Sequence, residues 1–311
     1  MRFLDIKTDF AFKKVFGSAD SKDILISFLN ALIDFAHNRK IQDLTIVDPY
    51  NLPMLKGMKD TFVDVKADLD DGSRVIIEMQ ILNHEGFEKR ILYNAAKNYS
   101  IQLAAGDAYH LLNPVIALTI TDFVLFDSPE LINNFKLLEK KQFIEYSDDI
   151  ELIFIELPKF NKTAQELKSI QDKWLFFIKN AGELDYVPDN LEQELEKAFN
   201  IANEANLNAE ELELQHKKRD WIYIQKSSIA LATKTGLQQG LEQGLEQGLK
   251  QGLEQGLQQG LLQGLEQGEY HAKTQMVINA YQAGLEVEMI CKVSGLNQNA
   301  VQEIINALPS K

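Results

Sequence analysis

The sequence has one cysteine, Cys291, among its 311 residues. A single thiol excludes an intrachain disulfide framework and a zinc site built on cysteines, and it is typical of a reducing compartment. Long apolar runs are also missing, because no stretch approaches the roughly 18 residues that a membrane span requires. Residues 1–5 lack the apolar segment of a signal peptide. These absences predict a cytoplasmic protein that does not contact a membrane.

Positive charge is scarce, since 32 lysines and arginines stand against 46 aspartates and glutamates, for a formal net charge of −14. Taken alone, this deficit argues against a nucleic-acid binder, because neutralising phosphates requires basic side chains. The excess of acid lies mainly in residues 101–225, with 12 basic and 23 acidic residues, whereas residues 1–100 have 14 and 15. The first hundred residues are therefore compatible with a phosphate-bearing substrate.

Hydrophobic periodicity predicts the secondary structure. Strands separated by a long helix indicate an α/β layer. The predicted elements are two short helices within 8–33, a β-hairpin over 61–82, a helix from Glu85 to about Ala105, strands over 114–120 and 152–157, and mainly helical structure over 163–225. From these we predict a core over 1–160, a helical extension packed on it over 161–228, a repeat over 229–269 and a small unit over 270–311.

The repeat consists of eight Gly-Leu-x-Gln tetrads from Gly236 to Gln267. A glycine costs a helix roughly 1 kcal/mol relative to alanine. A four-residue repeat on a helix of 3.6 residues per turn advances about 40° each time, so the leucine stripe winds around the axis and excludes an ordinary left-handed coiled coil. The segment is either a flexible tether or a self-association helix, and residues 236–268 are a candidate homo-oligomer contact.

The last region has three short helical patterns separated by Ala283-Gly284 and Ser294-Gly295-Leu296. This arrangement resembles a helix-turn-helix. The third pattern, however, has no lysine or arginine before Lys311. A packing or partner-docking unit is therefore favoured over a DNA-reading one.

The hairpin over 61–82 has the residues that suggest chemistry. A three-residue loop, 70–72, puts Gly72 where φ must be positive and pairs Leu69 with Ser73. Asp64 then lies opposite Glu78, and alternation places Gln80, Lys66 and Asp68 on the same face. The other face is predicted to be buried and consists of Val63, Val65, Val75, Ile77, Met79 and Ile81.

Two carboxylates this close repel each other unless one is protonated or a cation lies between them. Carboxylate oxygens with open positions suit Mg²⁺ or Mn²⁺, which bind through one or two carboxylates, water and substrate phosphate. The pattern also fits an amphipathic hairpin whose polar face is simply in solvent. A two-residue turn would place Met79 opposite Asp64 and remove the site.

Three segments resemble a known family: residues 8–16 (Thr-Asp-Phe-Ala-Phe-Lys-Lys-Val-Phe), the run from Asp64 to Gln80, and residues 90–93 (Arg-Ile-Leu-Tyr) leading to Tyr109 and 114–116. Together they resemble the PD-(D/E)xK nuclease superfamily and, within it, the recombination-promoting nuclease/putative transposase group. The resemblance covers roughly residues 1–160. It implies a restriction-endonuclease-like α/β core, a mixed sheet flanked by helices, and a Mg²⁺-dependent DNA endonuclease that promotes recombination, mobile-element movement or phage defence.

By that resemblance, Asp64 and Glu78 are the metal-binding acids, and Asp9 matches a further acid that some members place on the first helix. Thr8 or Asp9 also suits a helix N-cap. Gln80 stands where most of the superfamily has a lysine. Glutamine can orient water or phosphate but supplies no positive charge, so Lys66 is a candidate source of that charge.

Four residues are candidate DNA contacts. Lys13 lies on the first predicted helix, and Arg90, Asn94 and Lys97 share one face of the helix after the hairpin. The competing hypothesis is a catalytically degenerate nuclease fold that acts as a DNA- or protein-interaction and assembly module.

Overall fold

The computed structural model describes residues 1–35, 38–51 and 61–308. The chain divides into two compact units, Met1–Ser227 and Ser228–Lys311. The last three residues of the predicted 270–311 unit lie outside the described residues. Within the described ranges, no helix combines the length and the apolar character that crossing a bilayer requires.

The first unit contains a mixed six-stranded sheet with strand order β1-β4-β5-β6-β8-β7. Strand β4 is antiparallel to both of its neighbours, β1 and β5. Strands β5, β6 and β8 run parallel to one another, and β7 pairs antiparallel with β8 at the edge. Strands β2 and β3 form a separate two-stranded sheet. The strands are β1 (Leu44–Val47), β2 (Tyr50–Asn51), β3 (Thr61–Phe62), β4 (Val65–Leu69), β5 (Arg74–Gln80), β6 (Val115–Thr121), β7 (Ile132–Leu138) and β8 (Glu145–Glu156).

Eight α-helices are present in the described residues. They are α1 (Asp9–Phe16), α2 (Lys22–Leu32), α3 (Phe87–Ser100), α4 (Ile170–Asn180), α5 (Gln193–Ala202), α6 (Ala209–Gln282), α7 (Val287–Ser294) and α8 (Gln298–Asn306). The α/β class and the mixed sheet flanked by helices are thus confirmed, and the arrangement is consistent with a restriction-endonuclease-like core.

Helices cover both faces of the sheet. On one face α1, α2, α4 and α5 form the main hydrophobic core, in which Phe12, Phe16, Phe28 and Trp174 are fully buried. On the other face α3 packs on the central strands, and its residues Phe87, Ile91 and Ala95 contact a smaller buried cluster. The hairpin is therefore enclosed, and the alternative of a hairpin with one face in solvent is wrong.

The predicted alternation fails at Val63. This residue is buried with Ile76 on the α3 face rather than with Val65 on the main-core face. The reason is local, because the chain bends at Asp64 between β3 and β4, and the alternation of side chains restarts after the bend. The interruption leaves Asp64 outside regular strand structure.

The second unit comprises residues from Ser228 onward. The Gly-Leu-x-Gln tetrads lie within α6, and the eight leucines that directly follow their glycines, from Leu237 to Leu265, are 63–77% exposed. Beyond the tetrads, Val277, Ile290, Val301 and Ile305 form a small buried cluster between the end of α6, α7 and α8. The described helices of this unit thus combine a compact end with a long apolar stripe in solvent.

Candidate active site

The β4–β5 hairpin has the predicted register. Val65 pairs with Ile77 and Asp68 with Arg74, which is the register that aligns Asp64 with Glu78. Gly72 has a φ of 88°, a conformation that favours glycine. The backbone N–H of Leu69 donates to the carbonyl of Ser73 at 2.8 Å. The predicted three-residue loop is therefore confirmed, and it sets the position of both acids.

Asp64 is held in place by the neighbouring strand. Its backbone N–H donates to the carbonyl of Ile77 at 3.0 Å, and its Oδ2 accepts a hydrogen bond from the backbone N–H of Met79 at 2.8 Å. The carboxylate of Asp64 thus accepts a hydrogen bond that a backbone carbonyl of a paired strand would otherwise accept, next to Glu78. Its side chain is 13% exposed, so one oxygen is fixed in a largely dry environment.

Helix α1 brings Asp9 and Lys13 to Asp64. Thr8, not Asp9, caps the helix, because its Oγ1 accepts from the N–H of Ala11 at 3.4 Å. Asp9 instead lies in the first turn, where its carboxyl group interacts with that of Asp64. Lys13 Nζ, one turn later, lies 2.6 Å from Asp9 Oδ1 and 3.4 Å from Asp64 Oδ1. One lysine therefore bridges two acids from distant parts of the chain.

The two acids share a proton unequally. Burial, then the hydrogen bond with Asp9, raises the pKa of Asp64 to about 7. Burial opposes ionisation of Asp9 as well, but hydrogen bonds from Asp64 and Lys13 lower its pKa below the ordinary value. The pKa of Lys13 is raised, because its contacts with Asp9 and Asp64 outweigh the effect of burial. Below about pH 7, the pair therefore contains a protonated Asp64 that donates to an ionised Asp9.

Glu78 lies on the α3 side of β5 and is 7% exposed. Its Oε1 is 2.5 Å from Arg90 Nη1. Burial raises the pKa of Glu78, and the charge of Arg90, the nearby Asn94 amide and the charges of His84 and Lys13 oppose the rise. Lys13 therefore contacts Asp9 and Asp64 directly, whereas its charge affects Glu78 only weakly and the ion-pair partner of Glu78 is Arg90.

Gln80, two residues further along β5, is held at both ends of its amide. Its Nε2 donates to the carbonyl of Leu82 at 2.8 Å, and its Oε1 accepts from Arg90 Nη2 at 2.9 Å. Arg90 thus contacts Glu78 and Gln80 together, and its guanidinium also lies 5.5 Å from the centre of the Phe87 ring.

The predicted DNA contacts on α3 lie at different depths. Arg90, Asn94 and Lys97 share a face, as predicted, but that face is turned toward the sheet, and Asn94 and Lys97 are only 1% and 4% exposed. Packing of Ile91 and Ala95 on the sheet rotates the whole face inward. Direct DNA contact by Asn94 or Lys97 stays a prediction that their burial does not favour.

Lys66 is also buried, and its Nζ lies 3.5 Å from the carbonyl of Tyr50. Burial lowers its pKa, as does the charge of Arg74, whereas Asp48 and Asp68 act in the opposite direction. These neighbours lie toward the turn of the hairpin and the β2 strand. The structure groups Asp9, Lys13, Asp64, Glu78, Gln80 and Arg90, and it places Lys66 beside a different set of charges.

The arrangement of the acids limits how many ligands they can supply to a metal ion. Among the described residues, no group of three or more histidine, cysteine, aspartate or glutamate side chains could hold a metal ion. Mg²⁺, however, commonly uses one or two protein carboxylates and takes its other ligands from water and phosphate. The Asp9–Asp64 pair, which needs a proton or cation between its oxygens, fits that smaller donor set.

Two residues of this region were not predicted in their observed roles. Arg90 was expected to contact DNA, and its pairing with Glu78 depends on how α3 packs on β5. Lys218 of α6 lies close enough to Asp9 to lower its pKa, and nothing in the local sequence around Lys218 indicates this long-range contact. Both cases depend on tertiary packing of charged residues.

Comparison with known proteins agrees with this arrangement. No curated protein and no solved structure shows significant similarity to the chain. A family model described as PD-(D/E)XK nuclease family transposase matches residues 6–232, which include the whole mixed sheet and every residue of the site above. The chain therefore belongs to the PD-(D/E)XK nuclease family transposases.

Proposed function

We propose that the protein is a divalent-metal-dependent DNA endonuclease that uses Mg²⁺ or Mn²⁺ and promotes recombination, mobile-element movement or phage defence. The observation that carries this function is the convergence of Asp9, Asp64 and Lys13. Helix α1 and the hairpin bring two carboxyl groups into contact with one lysine. Family membership supports a nuclease or transposase-like activity.

Asp64 and Asp9 are the residues that would hold the metal directly, whereas Glu78, which the family resemblance also assigns to the metal, is paired with Arg90. A bound Mg²⁺ would supply positive charge to a phosphodiester and lower the pKa of water. Ionisation of Asp64 is the step that this chain must provide, because its proton occupies the position between the two acids. Since the pKa of Asp64 is about 7, loading is favoured in neutral to mildly alkaline solution.

The reaction itself is a hydrolysis. Water adds to phosphorus, the bond from phosphorus to the leaving sugar oxygen breaks, and that oxygen takes up a proton. Lys13, with a side chain 40% exposed at the edge of the acid pair, is positioned to contact a DNA phosphate while it holds both carboxylates. Because the chain is strongly acidic overall, DNA affinity should be weak and highly sensitive to salt.

The experiment is a cleavage assay on plasmid and linear DNA with Mg²⁺ or Mn²⁺ for wild type, Asp64→Ala, Glu78→Ala and Asp9→Asn. The matched control is Asp68→Asn, since Asp68 lies on β4 but pairs with Arg74 through a 2.6 Å contact. We expect the site variants to lose about 100-fold or more of the activity, and the control to keep it. Undiminished cutting by both Asp64→Ala and Glu78→Ala would overturn the assignment.

A second candidate is a degenerate nuclease fold that serves as an interaction and assembly module. One observation favours it: the described residues contain no group of three metal-binding side chains. Metal titration followed by calorimetry separates the two functions. DNA or protein binding by a preparation that takes up neither Mg²⁺ nor Mn²⁺ would support the interaction module.

A further inference from the structure

Arg90 lies beside Glu78, the residue that the hairpin register places opposite Asp64. It enters from α3, which begins after Gly86, a glycine with a φ of 80°. Its two terminal nitrogens point to different residues of β5, since Nη1 contacts Glu78 at 2.5 Å and Nη2 donates to Gln80 at 2.9 Å. The side chain is 32% exposed. The positively charged side chain of Arg90 thus contacts Glu78 and Gln80, two residues of β5 whose side chains lie on the same face of the strand.

The side-chain amide of Gln80 is hydrogen-bonded at both ends. Its amide oxygen accepts from Arg90 and its amide nitrogen donates to the carbonyl of Leu82. One N–H and one lone pair of the amide stay free, but its orientation is set by Arg90 and Leu82 rather than by a water molecule. The hydrogen bond from Arg90 Nη2 to the Gln80 amide oxygen fixes the orientation of the guanidinium.

Arg90 has donors beyond these contacts. A guanidinium has five N–H groups, and its terminal nitrogens make one contact each with Glu78 and Gln80. Its Nε is buried and has no hydrogen-bond partner within the described part of the chain. The second N–H of each terminal nitrogen can donate to an anion. Arginine keeps its charge at every pH at which the protein folds, so this residue can neutralise a phosphate but cannot act as a base.

We infer that Arg90 supplies the positive charge that contacts the scissile phosphate, and that Gln80 is its positioning residue. This inference rests on the proposed nuclease function. The charge that contacts the phosphate then comes from Arg90 of α3, whereas the nearby position of β5 has the uncharged amide of Gln80. The two residues act as one unit, because the contact between them sets where the charge lies.

The test is an exchange of charge between the two positions. Cleavage rates and KM are measured for Arg90→Gln, Arg90→Lys, Gln80→Ala, Gln80→Lys and the double variant Gln80→Lys with Arg90→Gln. Lys89→Gln is the matched control, because Lys89 is an exposed cation on the same helix. Thermal melting of each variant separates loss of folding from loss of function.

We expect Arg90→Gln to lower kcat by about 100-fold with a small change in KM, Arg90→Lys to retain part of the rate, and Lys89→Gln to match wild type. Gln80→Lys alone should also be slow, because two cations then meet. The double variant should recover at least about tenfold over Arg90→Gln, since it returns one charge to the same place. Wild-type cutting by Arg90→Gln, or no recovery in the folded double variant, would overturn the inference.

A binding measurement judges Arg90 independently of catalysis. In the Asp64→Asn background, DNA affinity is measured by fluorescence anisotropy over a range of salt concentrations. Loss of one phosphate contact should reduce the slope of log affinity against log salt by about 0.9 in Arg90→Gln and leave it unchanged in Lys89→Gln. If wild type cuts no DNA with Mg²⁺ or Mn²⁺, the proposed function fails, and an unchanged slope in Arg90→Gln shows separately that the inference about Arg90 fails.

Discussion

The carboxyl groups of Asp9 and Asp64 share one ammonium group, although one lies in the first turn of α1 and the other at the bend before β4. Lys13 contacts both of them. Two neighbouring acids, of which Asp64 is largely buried, bind one proton more tightly than an isolated carboxyl group does. Protonation of Asp64 therefore affects the stability of the fold, and a metal cation that replaces this proton would affect the chemistry of the site.

The first prediction concerns stability. The folded-state pKa of Asp64 is about 7, against an ordinary value of 3.8. A raised pKa means that the stabilisation from this group is fully present below about pH 4 and is lost as the pH rises to about 7. Asp64→Asn keeps an acceptor for the Met79 N–H and removes the repulsion with Asp9. We expect it to be more stable than wild type by about 1–3 kcal/mol at pH 8 in EDTA.

Thermal or urea unfolding at pH 4 and pH 8 measures this difference. It should nearly vanish at pH 4, where Asp64 is protonated. A difference of equal size at both pH values would show that the Asp9–Asp64 contact is not the cause.

The second prediction concerns metal binding. Because a metal replaces the proton on Asp64, Mg²⁺ or Mn²⁺ affinity should rise by up to about tenfold from pH 6 to pH 7 and level off above that. About one proton should be released per metal bound below pH 7. Isothermal calorimetry in two buffers of different ionisation enthalpy counts the protons. An affinity independent of pH in this range contradicts the prediction.

The third prediction compares two adjacent lysines of α1. Lys13 lowers the pKa of both Asp9 and Asp64, whereas Lys14 lies 2.6 Å from Glu211. Lys13→Gln should therefore move the pH midpoint of metal binding upward by about one unit, a differential interaction of about 1.4 kcal/mol. Lys14→Gln should leave the midpoint in place. Equal shifts in the two variants would indicate a general effect of net charge.

The fourth prediction concerns the N-cap that sets the direction of α1. Thr8 Oγ1 lies 2.8 Å from the carbonyl of Asp5 and 3.2 Å from Oε1 of the buried Gln215. Thr8→Ala should lower the free energy of unfolding by about 1–2 kcal/mol and weaken metal binding, because Asp9 follows directly. Thr8→Ser keeps the oxygen and should retain most of both properties. Urea unfolding and metal titration provide the two measurements.

The fifth prediction concerns the tetrads over 236–268. Eight leucines in solvent are costly for an isolated helix, and their close repetition beside glycines favours association with another copy. Replacement of Leu241, Leu249 and Leu257 by glutamine in the full chain should reduce its molar mass in light scattering. A chain ending at Ser228 provides a second comparison. A monomeric wild type at micromolar concentration would contradict self-association.

Several features follow from the sequence because their causes are local. The alternation in β4 and β5 and the glycine at position 72 fix the hairpin and its register, since strand period and positive φ depend on neighbouring residues. The α/β class follows from strands separated by a long helix. Residues 8–16, the Asp64–Gln80 run and residues 90–93 leading to Tyr109 and 114–116 together indicate the nuclease family.

Tertiary structure alone decided which charges meet. The hairpin register places Asp64 opposite Glu78, as predicted, but the carboxyl group of Asp64 contacts Lys13 because α1 packs near the bend. Glu78 instead contacts Arg90, since the apolar residues of α3 turn its polar face inward against β5. Side-chain period predicts which residues share a face of one element, but the partner of a buried charge depends on how separate elements pack. The sequence therefore determined the acids, and the packing of α1 and α3 determined their partners.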